Sequence, residues 1–335
     1  MKVLFSSNKN PDFITITEYI ENALSKKSKY AFFNDRDFIV PGRIRDNFPI
    51  LNKLDLLRIN KNLLSLTEKF KPDIFFEAGG YRILPQTIEK IKEMGIKTVL
   101  WTIDVPKYFE SIIEASHYYD FVFTGGSEAI EILKNYNLKN LYWLPFACDP
   151  EFHKPVKITG GEKALYENDI VFVGSYYPNR MRVLEEISDF DLGVWGPGWE
   201  KVPPVSSLKR RIRRAGGVKS DEWIKIYTSC KIAIAIHYRD EDTPCYQASP
   251  KIYEVLACKC FLLVDNQRDV ISLFDDGKHL LIFESIVDLR EKIKYYLERS
   301  EERVSIAEEG YKEVIQQHTY SHRINKMIQI IKNRG

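Results

Sequence analysis

The chain has 335 residues, of which 44% are hydrophobic and 29% are charged, a composition typical of a globular protein with material for two cores. The formal net charge of +2 excludes the strongly basic character expected of a nucleic-acid-binding protein. The five scattered cysteines argue against a disulfide framework and for a reducing compartment. The first apolar run is too short for a signal peptide, and no later run reaches membrane-spanning length, so we expect a cytoplasmic protein.

Short apolar runs alternate with helix-like segments along the first part of the chain. Buried runs without strict alternation are typical of parallel strands that are covered on both faces. The helix-like segment 84–95 ends at Gly95, a residue type that commonly follows a helix. The predicted strands of this series are residues 2–7, 30–33, 73–78, 98–103, 121–125 and 141–147.

A polar stretch, residues 153–169, follows this first series. It contains a proline, two adjacent glycines and little apolar periodicity, so we interpret it as an interdomain connection. A second series then predicts strands at 170–175, 192–196, 232–237, 261–265 and 279–283. Helices are predicted around 178–188, 220–230, 250–258, 286–298, 301–316 and 320–333.

Repeated strand–helix–strand units predict right-handed crossovers and parallel sheets. The predicted fold class is therefore α/β, with two Rossmann-like domains that face a cleft. The predicted domains are residues 1–155, residues 165–318, and a C-terminal helix within 319–335 that crosses back to the first domain. Ligands of open α/β sheets bind outside the carboxyl ends of the strands, so the candidate site lies there.

The segment SPKIYEVLACKCFLLVDN (249–266) predicts a helix start, a short helix and a buried strand. Ser249 suits the N-cap and Pro250 the first helical position. The free N–H groups of such a helix start favour an anion. Lys251 and Glu254 would share one face, where a cation suits a diphosphate and a carboxylate suits ribose hydroxyls. From spacing alone, the alternative is a surface ion pair.

This segment resembles the donor site of GT-B glycosyltransferases, in particular the CgeB-like, spore-maturation family. Further stretches resemble that family in the same order, and the resemblance covers nearly the whole chain from about residue 70. These stretches are LWTIDVPKYFE (100–110), LPFACDPEFHKP (144–155), IVFVGSYYPNRMRVLEEI (170–187) and HTYSHRI (318–324).

The resemblance implies a GT-B fold and a nucleotide-diphosphate-sugar donor held mainly by the second domain. It implies that Glu254 binds the donor ribose and that Lys251, with nearby backbone N–H groups, binds the diphosphate. It also implies that Gly174, Ser175 and Arg180 border the phosphates from the opposite loop. A solvated position on a helix is the alternative for Arg180.

The chain departs from the family pattern at two positions. Tyr246 stands eight residues before Glu254, where many related retaining enzymes have a glutamate, so retaining and inverting chemistry both stay open. Lys259 stands where a glycine is usual. Tyr246 and Ser249 are kept as donor-side candidates, together with Trp195, which would form a wall of the nucleotide-base pocket. The alternative for Trp195 is a buried indole in a rigid turn.

Three residues are candidates for catalysis, since an inverting transfer needs a general base within reach of the acceptor hydroxyl. Asp104 follows a predicted strand and lies in a stretch that carries the resemblance, although it could equally cap the next helix. Glu77 precedes Ala78 and a pair of glycines and could be a loop residue. His237 ends a strand of the second domain, and the alternative is a satisfied buried histidine.

We expect no essential metal or cofactor, and we interpret Asp240-Glu241-Asp242 as a solvated loop. The expected partners are a nucleotide sugar and an acceptor that is a glycan, lipid-linked or a protein, with no nucleic acid. The basic run Lys209–Arg214 is a candidate for peripheral contact with a membrane or else a solvated face. Two rival functions stay open: a nucleotide-sugar epimerase, and a non-catalytic module that binds a nucleotide sugar.

Overall fold

The structure is a computed structural model that describes residues 1–10, 14–79, 82–103, 109–239 and 245–334. The chain forms two compact units. The first unit consists of Met1–Pro145 and Ile324–Gly335, and the second of Phe146–Arg323. Each unit is built on a parallel sheet of six strands, which confirms the predicted α/β class with two Rossmann-like sheets.

The sheet of the first unit has the strand order β2-β1-β3-β4-β5-β6. The inner strands are buried along nearly their whole length, whereas the edge strands β2 and β6 are mostly half-exposed. This gradient explains why the inner strands appear in the sequence as continuous apolar runs. The strands are β1 (Lys2–Ser7), β2 (Lys29–Asn34), β3 (Ile74–Ala78), β4 (Lys97–Thr102), β5 (Phe121–Thr124) and β6 (Leu141–Trp143).

The helices of the first unit carry clear start and stop signals. Thr15 and Glu18 form a capping box at the start of the first helix, and Pro85 opens a later one. Gly95 follows that later helix with a φ of 77°, as the glycine signal predicts. The helices are α1 (Ile16–Ser25), α2 (Gly42–Asn47), α3 (Pro49–Phe70), α4 (Pro85–Glu93), α5 (Phe109–Ser116) and α6 (Ser127–Lys134).

The sheet of the second unit has the strand order β12-β11-β10-β7-β8-β9. The order reverses between the neighbours β7 and β10, because later strands are added on opposite sides of this pair. Such a reversal opens a crevice at the carboxyl ends of the two strands. The strands are β7 (Ile170–Val173), β8 (Leu192–Trp195), β9 (Ile212–Arg214), β10 (Ile232–Ala235), β11 (Leu262–Asp265) and β12 (Leu281–Phe283).

Two elements of the second unit differ from the sequence prediction. Strand β9 lies inside the basic run and pairs with β8 at the sheet edge. The polar stretch 153–169 contains a helix, which a capping box of Thr159 and Glu162 begins. The helices are α7 (Gly160–Tyr166), α8 (Pro178–Glu185), α9 (Ser220–Ser229), α10 (Pro250–Ala257), α11 (Arg268–Leu273), α12 (Ile286–Leu297) and α13 (Ser300–Gln317).

The last helix, α14 (Tyr320–Arg334), begins in the second unit, and its residues from Ile324 onward belong to the first. The predicted domain boundaries and the predicted crossing of this helix stay predictions. Among the described residues, no helix combines the length and the apolar character needed to cross a membrane.

Lys259 occupies the position where the family resemblance leads us to expect a glycine. Its φ of 54° lies in the left-handed region, which glycine adopts without cost and other residues adopt with strain. Its ammonium lies 2.9 Å from Oε2 of Glu308 and 4.4 Å from the ring centre of Tyr311, both on α13. The lysine therefore keeps the backbone turn of a glycine and adds contacts to a neighbouring helix.

Candidate functional site

The turn after β7 is locked to the turn after β8. The N–H of Gly174 donates to the carbonyl of Trp195 at 2.8 Å, and the indole N–H of Trp199 donates to the carbonyl of Gly174 at 2.7 Å. Gly196 has a φ of 138°, and a β-carbon there would lie 2.1 Å from the carbonyl oxygen of Gly174. Only glycine fits at this close approach, which fixes Gly174 and Ser175 at the edge of the crevice.

Arg180 projects from the first turn of α8 toward this turn. Its Nε donates to the carbonyl of Ile236 at 2.8 Å, and its Nη1 donates to the carbonyl of Ser175 at 3.0 Å. Its guanidinium lies 4.8 Å from the ring centre of Tyr177. Burial lowers the pKa of Arg180, but a guanidinium stays protonated in proteins. No carboxylate of a described residue lies within 4.0 Å of the guanidinium of Arg180, so neutral carbonyls hold a partly buried positive charge.

Helix α10 begins beside the same crevice. Ser249 is its N-cap, with φ −62° and ψ 154°, and its N–H donates to Nε2 of His237 at 3.1 Å. The hydroxyl of Ser249 makes no capping hydrogen bond. Pro250 follows as the first helical residue, as predicted. The positive end of this helix therefore opens onto the crevice without a side-chain cap.

Lys251 supplies a second positive charge near that of Arg180. Burial lowers the pKa of Lys251 to about 8, the nearby charge of Glu254 opposes this effect, and the charge of Arg180 adds to it. Its ammonium makes no hydrogen bond or ion pair with any residue that the structure describes. In particular, no Lys251–Glu254 ion pair within 4.0 Å is present, so the alternative of a surface ion pair does not account for the two residues.

Glu254 lies one helical turn after Lys251, and its side chain is 15% exposed. Its Oε1 lies 3.9 Å from Nε2 of the buried His153. Nδ1 of His153 accepts the N–H of Asp149 at 3.0 Å, and burial lowers the pKa of His153, so this ring is neutral near pH 7. The carboxylate of Glu254 can therefore still accept hydrogen bonds in a partly buried position. Its role toward a ribose stays a prediction.

His237 is buried, with both ring nitrogens engaged. Nε2 accepts the N–H of Ser249, so the proton lies on Nδ1, which is 2.7 Å from Oδ1 of Asp265. The backbone N–H of His237 donates to the same oxygen at 3.0 Å, and Nδ2 of Asn179 donates to its carbonyl at 2.8 Å. This geometry corresponds to the alternative of a satisfied buried histidine, and a catalytic role for His237 stays a prediction.

Trp195 and Tyr246 lie near the crevice in different environments. Trp195 is 4% exposed, and its indole covers Gly193, where a β-carbon would lie 2.3 Å from the ring. Tyr246 is half-buried, and the guanidinium of Arg268 lies 5.0 Å from its ring centre. Of the two, Tyr246 therefore presents the more accessible ring, and their roles toward a nucleotide base stay predictions.

The two carboxylate candidates belong to the first unit. Asp104 lies outside the described residues, as does Asp240-Glu241-Asp242. Glu77 is the penultimate residue of β3 and is fully buried, with Oε2 accepting a hydrogen bond from the hydroxyl of Tyr119. Burial raises the pKa of Glu77 to about 8. Glu77 is therefore mostly protonated at pH 7. Because its side chain is fully buried, an acceptor hydroxyl cannot reach it in this conformation, as a role as base would require.

The basic run 209–214 is largely occupied by internal contacts. The ammonium of Lys209 donates to the carbonyl of Val202 at 3.2 Å, and Nε of Arg211 donates to the carbonyl of Ser188 at 2.7 Å. Arg214 forms an ion pair with Glu222 at 2.6 Å. Three of the five cations therefore stabilise the sheet edge, and a membrane contact through this run stays a prediction.

Two residues of the crevice were missed by the sequence analysis. Asp265 orients His237, and His153 lies beside Glu254. Asp265 ends strand β11, and this position at a carboxyl end was an available signal. For His153 the sequence offers no comparable signal, since its neighbour Glu254 is distant in the chain.

The chain resembles known proteins in sequence and in fold. Residues 180–329 match a family described as glycosyl transferase-like. The chain is 23% identical to the spore protein CgeB of Bacillus subtilis over 265 residues, which is 76% of this chain and 81% of that protein.

Two solved structures share the architecture along almost the whole chain. Anabaena HepE in complex with UDP-glucose aligns with a TM-score of 0.70 at 9% identity, covering 99% of this chain and 100% of that one. Sucrose-phosphate synthase of Thermosynechococcus elongatus aligns with a TM-score of 0.69 at 9% identity, covering 99% and 98%. These structures show that the chain has the GT-B fold, and in sequence the chain is similar to the glycosyl transferase-like family and to CgeB.

Proposed function

We propose that the crevice of the second unit holds a nucleotide-diphosphate sugar with its diphosphate against Arg180, Lys251 and the start of α10. The observation that carries this proposal is the pair of cations at this helix start that form no ion pair within 4.0 Å with any residue the structure describes. Two positive charges that form no ion pair in a partly buried crevice are costly unless an anion accompanies them. A diphosphate supplies the matching charge and enough oxygen atoms to bind both cations and the helix N–H groups.

In the proposed reaction, the bond between the anomeric carbon and the diphosphate breaks, and an acceptor hydroxyl oxygen forms the new bond to that carbon. The hydroxyl proton passes to a base, for which Asp104 is the first candidate. Negative charge develops on the leaving diphosphate, and Arg180 and Lys251 would stabilise it more strongly than they stabilise the bound donor. Because protein cations serve this purpose, the proposed reaction needs no metal.

Glu254 would accept hydrogen bonds from the ribose hydroxyls one turn along α10 from Lys251. Its partial burial makes such bonds stronger than they would be in water. Because Gly174 has no side chain, the diphosphate of the donor would be able to approach the protein backbone of this turn closely. The likeness to HepE, whose structure contains UDP-glucose, supports a nucleoside diphosphate as the ligand class.

A thermal-shift panel tests the donor site. UDP, GDP, ADP, CDP and dTDP are added in turn to the wild-type protein, to Glu254→Gln and to Glu291→Gln, a control on the exposed side of α12. A ligand at a hundred times its Kd adds about 2.7 kcal/mol of stability, which a thermal shift resolves readily. We expect one nucleotide to stabilise the wild type and the control, and to stabilise Glu254→Gln less.

The 2′-deoxy form of the active nucleotide sharpens this test. If Glu254 binds the ribose, removing the 2′-hydroxyl weakens binding to the wild type more than to Glu254→Gln. Stabilisation by none of the five nucleotides would contradict the proposal. Sugar release or rearrangement from the donor alone, without any transfer to an acceptor, would favour an epimerase or a hydrolase instead.

A further inference from the structure

The first unit contains an open groove of about 730 Å³ that the proposed donor site does not use. Three arginines and an asparagine line it, above a partly apolar floor. No carboxylate of a described residue is among the lining groups. The groove residues on which the argument depends are Arg36, Phe38, Arg45, Asn52, Leu56 and Arg82.

The groove lies at the carboxyl end of the first sheet. Arg36 comes two residues after the end of β2 at Asn34, and Arg82 comes four residues after the end of β3 at Ala78. These strands lie on either side of β1 in the sheet. The groove therefore occupies the edge at which open α/β sheets bind their ligands.

Two of the three guanidinium groups are free to bind a ligand. Among the described residues, Arg36 and Arg45 have no hydrogen-bonded or ion-paired side-chain partner. The guanidinium of Arg45 lies 3.8 Å from the ring centre of Phe38, and this stacking orients it while its N–H groups remain available. An oriented guanidinium loses little entropy when it binds an anion.

The third guanidinium, that of Arg82, is held by an ion pair with a buried carboxylate. Nη1 of Arg82 lies 3.5 Å from Oδ2 of Asp35, whose side chain is almost fully buried. Burial lowers the pKa of Arg82, and the nearby positive charge of Arg36 lowers it further. Arg36 and Arg82 are thus close enough to repel each other, and an anion between them would relieve that repulsion.

We propose that this groove binds a phosphate ester and that the acceptor of the transfer carries this phosphate. Because Arg82 is paired with Asp35, the three guanidinium groups leave close to two positive charges, which match a phosphate monoester with close to two negative charges at pH 7. The volume far exceeds a bare phosphate, and Phe38, Leu56 and the amide of Asn52 suit an attached polyol or sugar. The proposal rests on the proposed function, because it names the substrate class of the acceptor.

Direct binding tests the proposal independently of catalysis. Glycerol 3-phosphate and inorganic phosphate are titrated calorimetrically into the wild-type protein, into the double variant Arg36→Gln/Arg45→Gln and into Arg43→Gln. Arg43 lies on the same helix as Arg45, is exposed and does not line the groove, so it is a matched control for general charge. We expect the double variant to bind glycerol 3-phosphate at least about tenfold more weakly and the control to bind within about twofold.

A second experiment distinguishes the phosphate of a lipid headgroup from the phosphate of a soluble ester. Vesicles of phosphatidylcholine with and without phosphatidic acid are sedimented with the same three proteins. If the phosphate belongs to a lipid, the wild type and Arg43→Gln sediment with phosphatidic acid and the double variant does not. If it belongs to a soluble ester, glycerol 3-phosphate binds and none of the proteins sediments.

Three results would overturn the proposal: no binding of either probe or vesicle by the wild type, equal binding by the double variant, or an equal loss in Arg43→Gln. The nucleotide-induced thermal shift depends on the second unit and is measured on the same variants. An unchanged nucleotide shift with no phosphate binding rejects the groove alone. A missing nucleotide shift in the wild type rejects the proposed donor site instead.

Discussion

The two units bury charged groups of opposite sign and with different outcomes. In the second unit, Arg180 is held by the carbonyl oxygens of Ser175 and Ile236 and keeps its charge. In the first unit, Glu77 is held by the hydroxyl of Tyr119, and burial raises its pKa to about 8, so it gives up its charge at pH 7. Neither group forms an ion pair with a described residue.

The comparison shows that removal from water has different consequences for a guanidinium and a carboxyl group. A carboxyl group escapes the cost of desolvation by taking up a proton, and it then behaves as a neutral core group. A guanidinium cannot release its proton at any ordinary pH, so its charge stays in the crevice. The second unit therefore keeps an attraction for anions, whereas the carboxyl group of Glu77 contributes none for cations.

The largest expected effect comes from removing the permanent charge. We expect Arg180→Gln to lower kcat/KM for the sugar donor by roughly 10²- to 10³-fold, the range found when one preorganised group that stabilises developing charge is removed. The measurement is the initial rate of sugar transfer at several donor concentrations.

Lys294→Gln is the control, because Lys294 is an exposed cation on α12 of the same unit. We expect it to change kcat/KM by less than about threefold, as exposed charges contribute little. If both proteins keep the wild-type circular dichroism, equal losses of kcat/KM in the two variants would mean that the charge of Arg180 has no special role.

The second effect is a pH dependence of stability that Glu77 causes. Its folded-state pKa of about 8 lies above the ordinary value of 4.5, so the folded protein binds the extra proton between these values. The stabilisation is complete below about pH 4.5 and is lost as the pH rises to about 8, and the loss amounts to a few kcal/mol. We expect Glu77→Gln, which cannot ionise, to lack this loss.

Urea denaturation at pH 5 and pH 8.5 measures the effect. From pH 5 to pH 8.5, the free energy of unfolding should fall less in Glu77→Gln than in the wild type. In Glu68→Gln, which changes an exposed residue on α3, it should fall as much as in the wild type. Parallel curves for the wild type and Glu77→Gln would contradict a protonated Glu77. A large loss of transfer activity in Glu77→Gln at every pH would instead support the catalytic role predicted from the sequence.

The smallest effect distinguishes Lys251 from Arg180 within one site. Because the pKa of Lys251 is about 8, the free protein loses this charge as the pH rises through 8, whereas Arg180 keeps its charge. A bound diphosphate favours the protonated form, so nucleotide affinity should fall by about tenfold between pH 7 and pH 9.

Calorimetric titration with the active nucleoside diphosphate at the two pH values measures this fall. Lys251→Arg should bind with nearly the same affinity at both, because its guanidinium stays charged. An equally steep fall in Lys251→Arg would assign the pH dependence to another group, and a flat wild-type profile would contradict the lowered pKa of Lys251.

The sequence predicted the repeated strands and helices well, because parallel strands and their helices follow from local apolar pattern. It predicted the helix start at Pro250, and the family resemblance implied that Gly174, Ser175 and Arg180 lie near one another, as the contact between Arg180 and Ser175 shows. It missed β9, since a strand of three residues rich in arginine has no apolar signature. It missed α7 for a related reason, since all of its residues are half-exposed or exposed.

The partners of individual polar groups could not be predicted in the same way. The contact of His237 with Asp265 joins residues 28 apart, and the contact of Trp199 with Gly174 joins residues 25 apart. Periodicity specifies which face of an element is buried, but it does not specify which carbonyl a distant side chain reaches. The alternatives for His237 (a satisfied buried histidine) and for Lys251 with Glu254 (a surface ion pair) could therefore be judged only from the three-dimensional structure.

The fixed guanidinium of Arg180 has a consequence for the timing of the catalytic cycle. Backbone carbonyls hold this side chain in place, so in the proposed donor site an arriving nucleotide would not have to wait for it to change rotamer. We expect association to be fast and governed mainly by diffusion and ionic strength. The same rigid grip acts on the nucleoside diphosphate left after the transfer, so its departure, rather than bond breaking, should limit turnover.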